Sequence, residues 1–317
     1  MPKHKIIFDT DPGIDDAMAL LLLARHRDVD LLAVTTVFGN GGIAAVTRNA
    51  LFLKDRFGLT APVAQGADRA IDANEAPAAA HLVHGDNGLG GIDIPAITAT
   101  LDPRPAHRLI IDLVRAHPHE VRIVAVGRMT NLALALRDAP DIAGLVKDVV
   151  VMGGAFGRNG HTGNVTPVAE ANIYGDPLAA DIAFGARWPV VIIGLDVTKE
   201  VLMSNAYVAE LTKTGADGKF VRDISRHYAA FYKERDSIDG FYVHDASAVT
   251  YALHPEFFAV ERGSVRVVTD GIAKGQTIIK PEGVDYPPGD WDDRPTQTIA
   301  VGVQSGRVLK LYRDIFG

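Results

Sequence analysis

The sequence predicts an α/β fold in which a single open, mainly parallel twisted sheet is flanked by helices. Three observations predict it. Short β-branched runs recur and are apolar on both faces, as buried parallel strands are. Amphipathic or alanine-rich segments long enough for helices separate these runs, and strand alternating with helix is the pattern of a βαβ-wound sheet. Several runs also end directly in Asp, Asn or Gly, and open α/β sheets bind ligands beyond the carboxyl ends of their strands.

In chain order, strands are predicted over 6–8, 31–36, 121–126, 149–152 and 190–195, and helices over 15–26, 43–56, 105–117, 131–137 and 177–185. The strand tips carry Asp9 and Asp11, Gly39-Asn40, Gly127-Arg128, Gly153-Gly154 and Asp196. Residues 68–97, rich in Ala, Gly, Asp and Pro with little periodicity, predict a long irregular excursion of the kind that often serves as a lid. A second excursion over 156–173 carries the turn signal Asn159-Gly160 and predicts a small hairpin. Beyond Thr198 the chain becomes more polar and helical, and 221–236 places Tyr228, Phe231 and Tyr232 on one face. Core packing is the expected role of at least one of these rings. With no internal repeat, low-complexity tract or linker, the chain reads as one domain, 1–317.

Composition narrows the function. The chain has 32 Lys+Arg against 39 Asp+Glu, a formal charge of −7, and no basic run. It therefore lacks the electrostatic footprint of a nucleic-acid binder. Zero cysteines exclude disulfides, thiolate metal sites and a cysteine nucleophile. Only Ile6-Ile7-Phe8 precedes Asp9, far short of the roughly 7–15 apolar residues of a signal peptide core. The longest apolar stretch, 17–24, is also far from the roughly 20 residues that cross a bilayer. A cytoplasmic enzyme without membrane segments is expected.

Asp9, Asp11, Asp15 and Asp16 put four carboxylates within eight residues, after a buried strand and at the start of a helix. Helix capping and the helix dipole relieve one or two such charges, each by a few tenths to about 1 kcal/mol. Four point to a hard divalent cation held by oxygen. The loop is not an EF-hand, since the sixth and twelfth positions counted from Asp9 hold Ile14 and Leu20. A rival is the haloacid-dehalogenase-like phosphohydrolase pattern, in which a strand-end Asp-x-Asp supplies nucleophile and acid. Gly175-Asp176 with Asp181 resembles that family's later acidic motif, but Pro12-Gly13 stands where the pattern wants Gly-Thr.

A more specific resemblance rests on several segments together. They are Asp9-Thr10-Asp11-Pro12-Gly13-Ile14-Asp15-Asp16, Gly163-Asn164, Thr166-Pro167-Val168-Ala169-Glu170-Ala171-Asn172 and Val243-His244-Asp245. Gly39-Asn40, His84-Gly85, Thr130-Asn131-Leu132 and Gly194-Leu195-Asp196-Val197-Thr198 fall in the same order. This set resembles the inosine-uridine-preferring nucleoside hydrolases over nearly the whole chain. The resemblance implies a Rossmann-like nucleoside hydrolase fold, a homodimer or homotetramer, and Ca²⁺-dependent hydrolysis of the N-glycosidic bond of ribonucleosides. One ion is implied, and the oxygen ligands alone do not distinguish Ca²⁺ from Mg²⁺. The chemistry is consistent, because cleavage builds an oxocarbenium-like positive charge on the sugar and acidic walls stabilise it. A non-catalytic nucleoside- or ribose-binding protein is the third reading.

Carried over residue by residue, the resemblance makes Asp11, Asp16, Asp245 and the carbonyl of Thr130 the metal ligands, with Asp11 also the general base. Asp15, Asn172 and Asp245 hold the ribose 2′- and 3′-hydroxyls, and Asn164 and Glu170 the 5′-hydroxyl. Glu170 would repel a 5′-phosphate, so nucleosides are expected over nucleotides. His244 is the candidate acid for the departing base. Asn40 is read as a site residue because it ends a strand on the same edge, and Asp9 as a support for the loop. His84, in the presumed lid, is a candidate substrate contact that could approach the base, although a histidine on a mobile surface loop is the simpler expectation. Arg128-Met129 stands where the family commonly has Pro-Leu, and the simplest expectation has Arg128 pointing to solvent or pairing with a nearby acid.

Overall fold

The computed structural model describes residues 4–73 and 81–316. The chain opens with β1 (His4–Thr10), α1 (Ile14–Arg25), β2 (Val29–Thr36), α2 (Ile43–Phe57), β3 (Val63–Gln65), α3 (His81–His84) and α4 (Ala106–Ala116). It continues with β4 (Val121–Ala125), α5 (Thr130–Asp138), β5 (Asp148–Met152), α6 (Ala171–Gly175), α7 (Pro177–Gly185) and β6 (Val190–Ile193). The last part holds α8 (Leu195–Thr198), β7 (Leu202–Ser204), α9 (Asn205–Leu211), α10 (Ala216–Asp236), β8 (Gly240–Tyr242) and α11 (Asp245–Leu253). It closes with β9 (Phe258–Val267), β10 (Thr277–Pro281), β11 (Thr296–Val303) and α12 (Ser305–Phe316).

The described residues form a nine-stranded sheet in the order β10-β9-β11-β6-β5-β4-β1-β2-β3, and β7 and β8 make a separate two-stranded ribbon. Pairing is parallel from β3 through β11 and antiparallel where β9 meets β11 and β10. Every strand predicted from sequence is present, as is every predicted helix. The strands read as continuous apolar runs because both faces are buried. Phe8 packs into one hydrophobic cluster with α1, α10 and α11, while its neighbour Ile7 packs into a second with α4, α5 and α7.

Within the parallel part the order β3-β2-β1-β4-β5-β6 is that of doubly wound sheets, with the reversal of direction between β1 and β4. That switch point opens a crevice at the carboxyl ends of the strands. The loop after β1 carries Asp11, and the loop after β4 carries Arg128 and Met129.

Two expectations fail. Residues 156–173 form no hairpin: the Asn159-Gly160 turn is a single 3₁₀ turn, with only an isolated bridge from Ala169 to Gln276. The backbone donors that a second strand would need are taken by a side chain. Asp196 accepts from the amides of Phe156, at 2.9 Å, and Arg158, at 2.6 Å. The polar region beyond Thr198 is also not simply helical, since it supplies β9, β10 and β11. The excursion over 68–97 is largely irregular as expected, interrupted by the single turn of α3, and its residues 74–80 lie outside the described set.

Candidate active site

The acidic loop is ordered by its own backbone. Asp16, in the first turn of α1, accepts hydrogen bonds from the amides of Gly13 at 2.9 Å and Asp11 at 3.2 Å. It also accepts from the Thr10 hydroxyl at 2.5 Å and from Nδ2 of Asn40 at 2.8 Å. The Asn40 amide donates to Oδ2 of Asp11 at 2.7 Å. Asn40 therefore clamps two of the aspartates, and Gly39 leaves it room to do so, because a Cβ at position 39 would collide with the Asp11 carboxylate. Asp9 sits apart, fully buried, accepting from Thr35 at 2.6 Å and Asn131 at 2.8 Å. Thr35 is its cross-strand partner on β2, so the sheet register creates that bond. These bonds tie the end of β1 to β2 and α5, and the other oxygen, Oδ2, is buried without a partner.

Asp245, the first residue of α11, completes the cluster from the far end of the chain. One carboxylate oxygen each from Asp15, Asp16 and Asp245 lie within 4.8 Å of one another. Burial, reinforced by Asp16, pushes the Asp11 carboxyl far above its ordinary range, and the same two causes raise Asp15 to about 8. Burial together with Asp15, Asp16 and Asp11 raises Asp245 as well. Oδ1 of Asp11 is buried and has no hydrogen-bond partner. Several buried carboxylates with one oxygen unclaimed are costly in an ion-free protein. An all-oxygen donor set of this kind suits a hard divalent cation.

Above the cluster lies a pocket whose polar wall is built on α6. Glu170 caps this helix, its carboxylate accepting from the amides of Asn172 at 2.9 Å, Ile173 at 3.1 Å and Gly154 at 3.1 Å. Nδ2 of Asn172 donates to the carbonyls that end β4 and β5, Val126 at 2.7 Å and Met152 at 3.2 Å, which leaves its Oδ1 for the pocket. Asn164 accepts from the Ala171 amide at 3.0 Å. Thr130, at the start of α5, spends its hydroxyl on Asp176 at 2.6 Å. Its main-chain carbonyl is then the group it would offer an ion.

The apolar wall is a stripe on α10. Tyr228, Phe231, Tyr232 and Arg235 all line the pocket and follow the i, i+3, i+4, i+7 spacing of one helical face. The sequence reading found the three rings and missed Arg235, whose guanidinium donates to the Asn164 carbonyl at 3.2 Å. His244 also lines the pocket, with Nδ1 2.8 Å from the Thr198 hydroxyl and Nε2 2.8 Å from the Tyr232 hydroxyl. Burial, helped by Lys199 and Arg235, lowers its pKa to about 3. The imidazole is neutral at pH 7, and the Tyr232 hydroxyl stands next to it in the pocket wall.

Two expectations about single residues are corrected. His84 is not on a mobile surface: it is buried, stacks on Tyr228 with ring centroids 5.7 Å apart, and lines the pocket. Arg128 neither points to solvent nor forms a close acid pair through Nε or Nη1. Its guanidinium lies 4.4 Å from the centre of the Phe38 ring, with both of those nitrogens buried and unpartnered.

The model of the inosine-uridine preferring nucleoside hydrolases matches residues 6–310. The chain belongs to this family. It is 40% identical over 279 residues to a probable uridine nucleosidase of Oryza sativa, covering 87% of this chain and 85% of the relative. It is 39% identical over 283 residues to the inosine-uridine preferring nucleoside hydrolase of Crithidia fasciculata, covering 88% of each. In structure it superposes on a plant nucleoside hydrolase with a TM-score of 0.94 at 36% identity, covering 99% of each chain. A purine-preferring ribonucleoside hydrolase from Gardnerella vaginalis gives a TM-score of 0.91 at 31% identity over 98% of each chain.

In this nucleoside hydrolase the later acids of the rival phosphohydrolase pattern are structural. Asp176 caps α7 through the Ala179 amide at 3.1 Å. Asp181 pairs with Arg266 at 3.0 Å and Arg294 at 2.8 Å. Among the described residues no helix is long and apolar enough to cross a membrane.

Proposed function

We propose that this enzyme hydrolyses the N-glycosidic bond of ribonucleosides to free base and ribose, with one calcium ion held by Asp11, Asp16, Asp245 and the Thr130 carbonyl. The observation that carries the reading is the buried carboxylate cluster at the β1/β4 switch point, directly beneath a pocket with one amide wall and one aromatic wall. When bound, the ion supplies a positive centre that makes an attacking water more acidic. The unclaimed Oδ1 of Asp11 takes the proton of that water. Water oxygen bonds to C1′ of the ribose as the C1′–N bond breaks, and the electron pair of that bond leaves with the base. Positive charge that builds on the sugar is stabilised by the carboxylates below it.

The remaining side chains divide by chemistry. Asp15, Asn172 and Asp245 accept from the 2′- and 3′-hydroxyls, and Asn164 and Glu170 hold the 5′-hydroxyl. Because three amides already share the Glu170 carboxylate, it remains a fixed acceptor that repels a 5′-phosphate. His84, Tyr228, Tyr232 and Arg235 surround the base, and the His244–Tyr232 pair supplies the hydrogen bond that helps it leave. Asn40 acts through Asp11 and Asp16.

Reducing-sugar release from inosine, adenosine, guanosine, uridine and cytidine, with and without chelator, tests the reading alongside a phosphate assay on the monophosphates. Free ribose that disappears on chelation and returns with calcium is expected. Phosphate release without ribose would overturn it.

A further inference from the structure

Arg128 stands one residue from Met129 and two from Thr130, on the loop that faces the acidic cluster across the switch point. Its position is built rather than incidental. One face of the guanidinium rests on Phe38, 4.4 Å from the ring centre. Close to its other side is Gly175, where any Cβ would collide with the Arg128 side chain. Phe38 lies with Asn40 on the loop after β2, Arg128 on the loop after β4 just before Thr130 opens α5, and Gly175 ends α6 just before Asp176.

A buried arginine normally spends its N–H groups on acceptors. Here Nε and Nη1 reach none, while Oδ1 of Asp11 is buried without a donor. The charge of Arg128 therefore acts through space, and the cluster is within its reach, because Gly127, its neighbour in the chain, lies so close to Asp11 that a Cβ there would stand 2.8 Å from Oδ1. Burial lowers the Arg128 pKa, and Asp11, Glu170 and Asp176 are the charges that oppose that fall. Cation–π contact holds a guanidinium in place without consuming its charge.

We propose that Arg128 is a built-in counter-charge to the aspartate cluster, a fixed cation that stabilises the ion-free site and limits how tightly a divalent ion is then held. The inference rests on the calcium reading above and goes beyond it by naming what sets the affinity. Like charges repel, so a guanidinium beside Asp11 opposes an arriving ion as surely as it steadies the carboxylates before the ion arrives. It is a positioning residue, and it acts through Asp11.

The sign of the effect separates this role from plain structural support. A prop, once removed, weakens ion binding, whereas a counter-charge, once removed, strengthens it. The test is calorimetric titration of calcium chloride into metal-stripped wild type, Arg128→Met, Arg128→Gln and Arg128→Lys, with melting curves in chelator. Both neutral variants should bind calcium about tenfold more tightly, equivalent to about 1.4 kcal/mol, and should melt lower than wild type in chelator. Arg128→Lys keeps the charge and loses the planar stack, and should stay within about twofold of wild type.

Neutral variants that bind calcium equally or more weakly overturn the proposal. If neither neutral variant folds in chelator, a normally folded Arg128→Lys supports the requirement for charge, and a misfolded one overturns it in favour of shape. Wild type that binds no calcium would remove the metal reading itself. Calcium binding by wild type that is unchanged in the neutral variants would remove only the role of Arg128.

Discussion

The backbone N–H of Ile14 donates a hydrogen bond to Nδ1 of His84 at 3.1 Å, joining the first residue of α1 to the end of α3, 70 residues away. The bond requires an unprotonated Nδ1. The positive end of the α1 dipole beside it disfavours an imidazolium further, and burial lowers the His84 pKa to about 4. The folded state thus binds fewer protons here than the unfolded chain, whose histidine titrates near 6.5. The stability His84 contributes is full above about pH 6.5 and is lost as pH falls towards 4, at up to about 1.4 kcal/mol per pH unit. In calcium-saturated protein, wild type should therefore be more stable than His84→Gln at pH 7.5, with the gap narrowing steadily at pH 5. A gap independent of pH in denaturant titrations would show that the His84 pKa is not lowered in the folded protein.

Asp11 should separate activity from stability. On the proposed mechanism Asp11→Asn removes the base and one ion ligand, and turnover should fall by at least about 10³. The same change removes a buried like charge next to Asp16, so the melting temperature in chelator should rise above that of wild type. Wild-type turnover in the variant would discard the mechanism.

Glu170 caps α6 and also faces the pocket, and a matched pair of substrates distinguishes the two roles. Loss of the cap in Glu170→Ala should cost about 1 kcal/mol of stability. If the carboxylate holds the 5′-hydroxyl, the preference of wild type for a ribonucleoside over its 5′-deoxy analogue, measured as a ratio of kcat/KM, should collapse in the variant. Equal losses on both substrates would leave Glu170 with capping alone.

His244 and Tyr232 should matter in proportion to how poorly the base leaves. His244→Ala and Tyr232→Phe should each slow inosine hydrolysis by roughly 10² or more. A riboside with a p-nitrophenyl leaving group should be affected far less. The two effects should not add, since the groups work through one hydrogen bond, and a double variant additive on inosine would contradict the pairing.

What was legible in the sequence follows the physics of burial. Strands covered on both faces announce themselves as apolar runs, and this is why β1, β2, β4, β5 and β6 were all readable. β9 was not, because most of its first half is exposed, its residues alternate only later, and Glu261, Arg262 and Arg266 interrupt the apolar signal. The aspartates were legible because so many carboxylates at one helix start have few bland explanations. Their partners were less so: Asn40 clamps Asp11 and Asp16 from 24 or more residues away, a relationship that only the sheet creates. The burial of Arg128 depends on Phe38 and Gly175, which no local pattern links. Arg235 was readable in principle, as the next step along the stripe of Tyr228 and Tyr232.

Asp15 and Asp16 meet Asp245 only in the finished fold. On a ribosome the third follows the first two only after more than two hundred further residues have been made. Throughout that interval the nascent chain carries an acidic loop that lacks its third carboxylate, so the cluster arises only once α11 has been made. The assembled cluster is thereby a report that everything between α1 and α11 has been made and has closed upon itself.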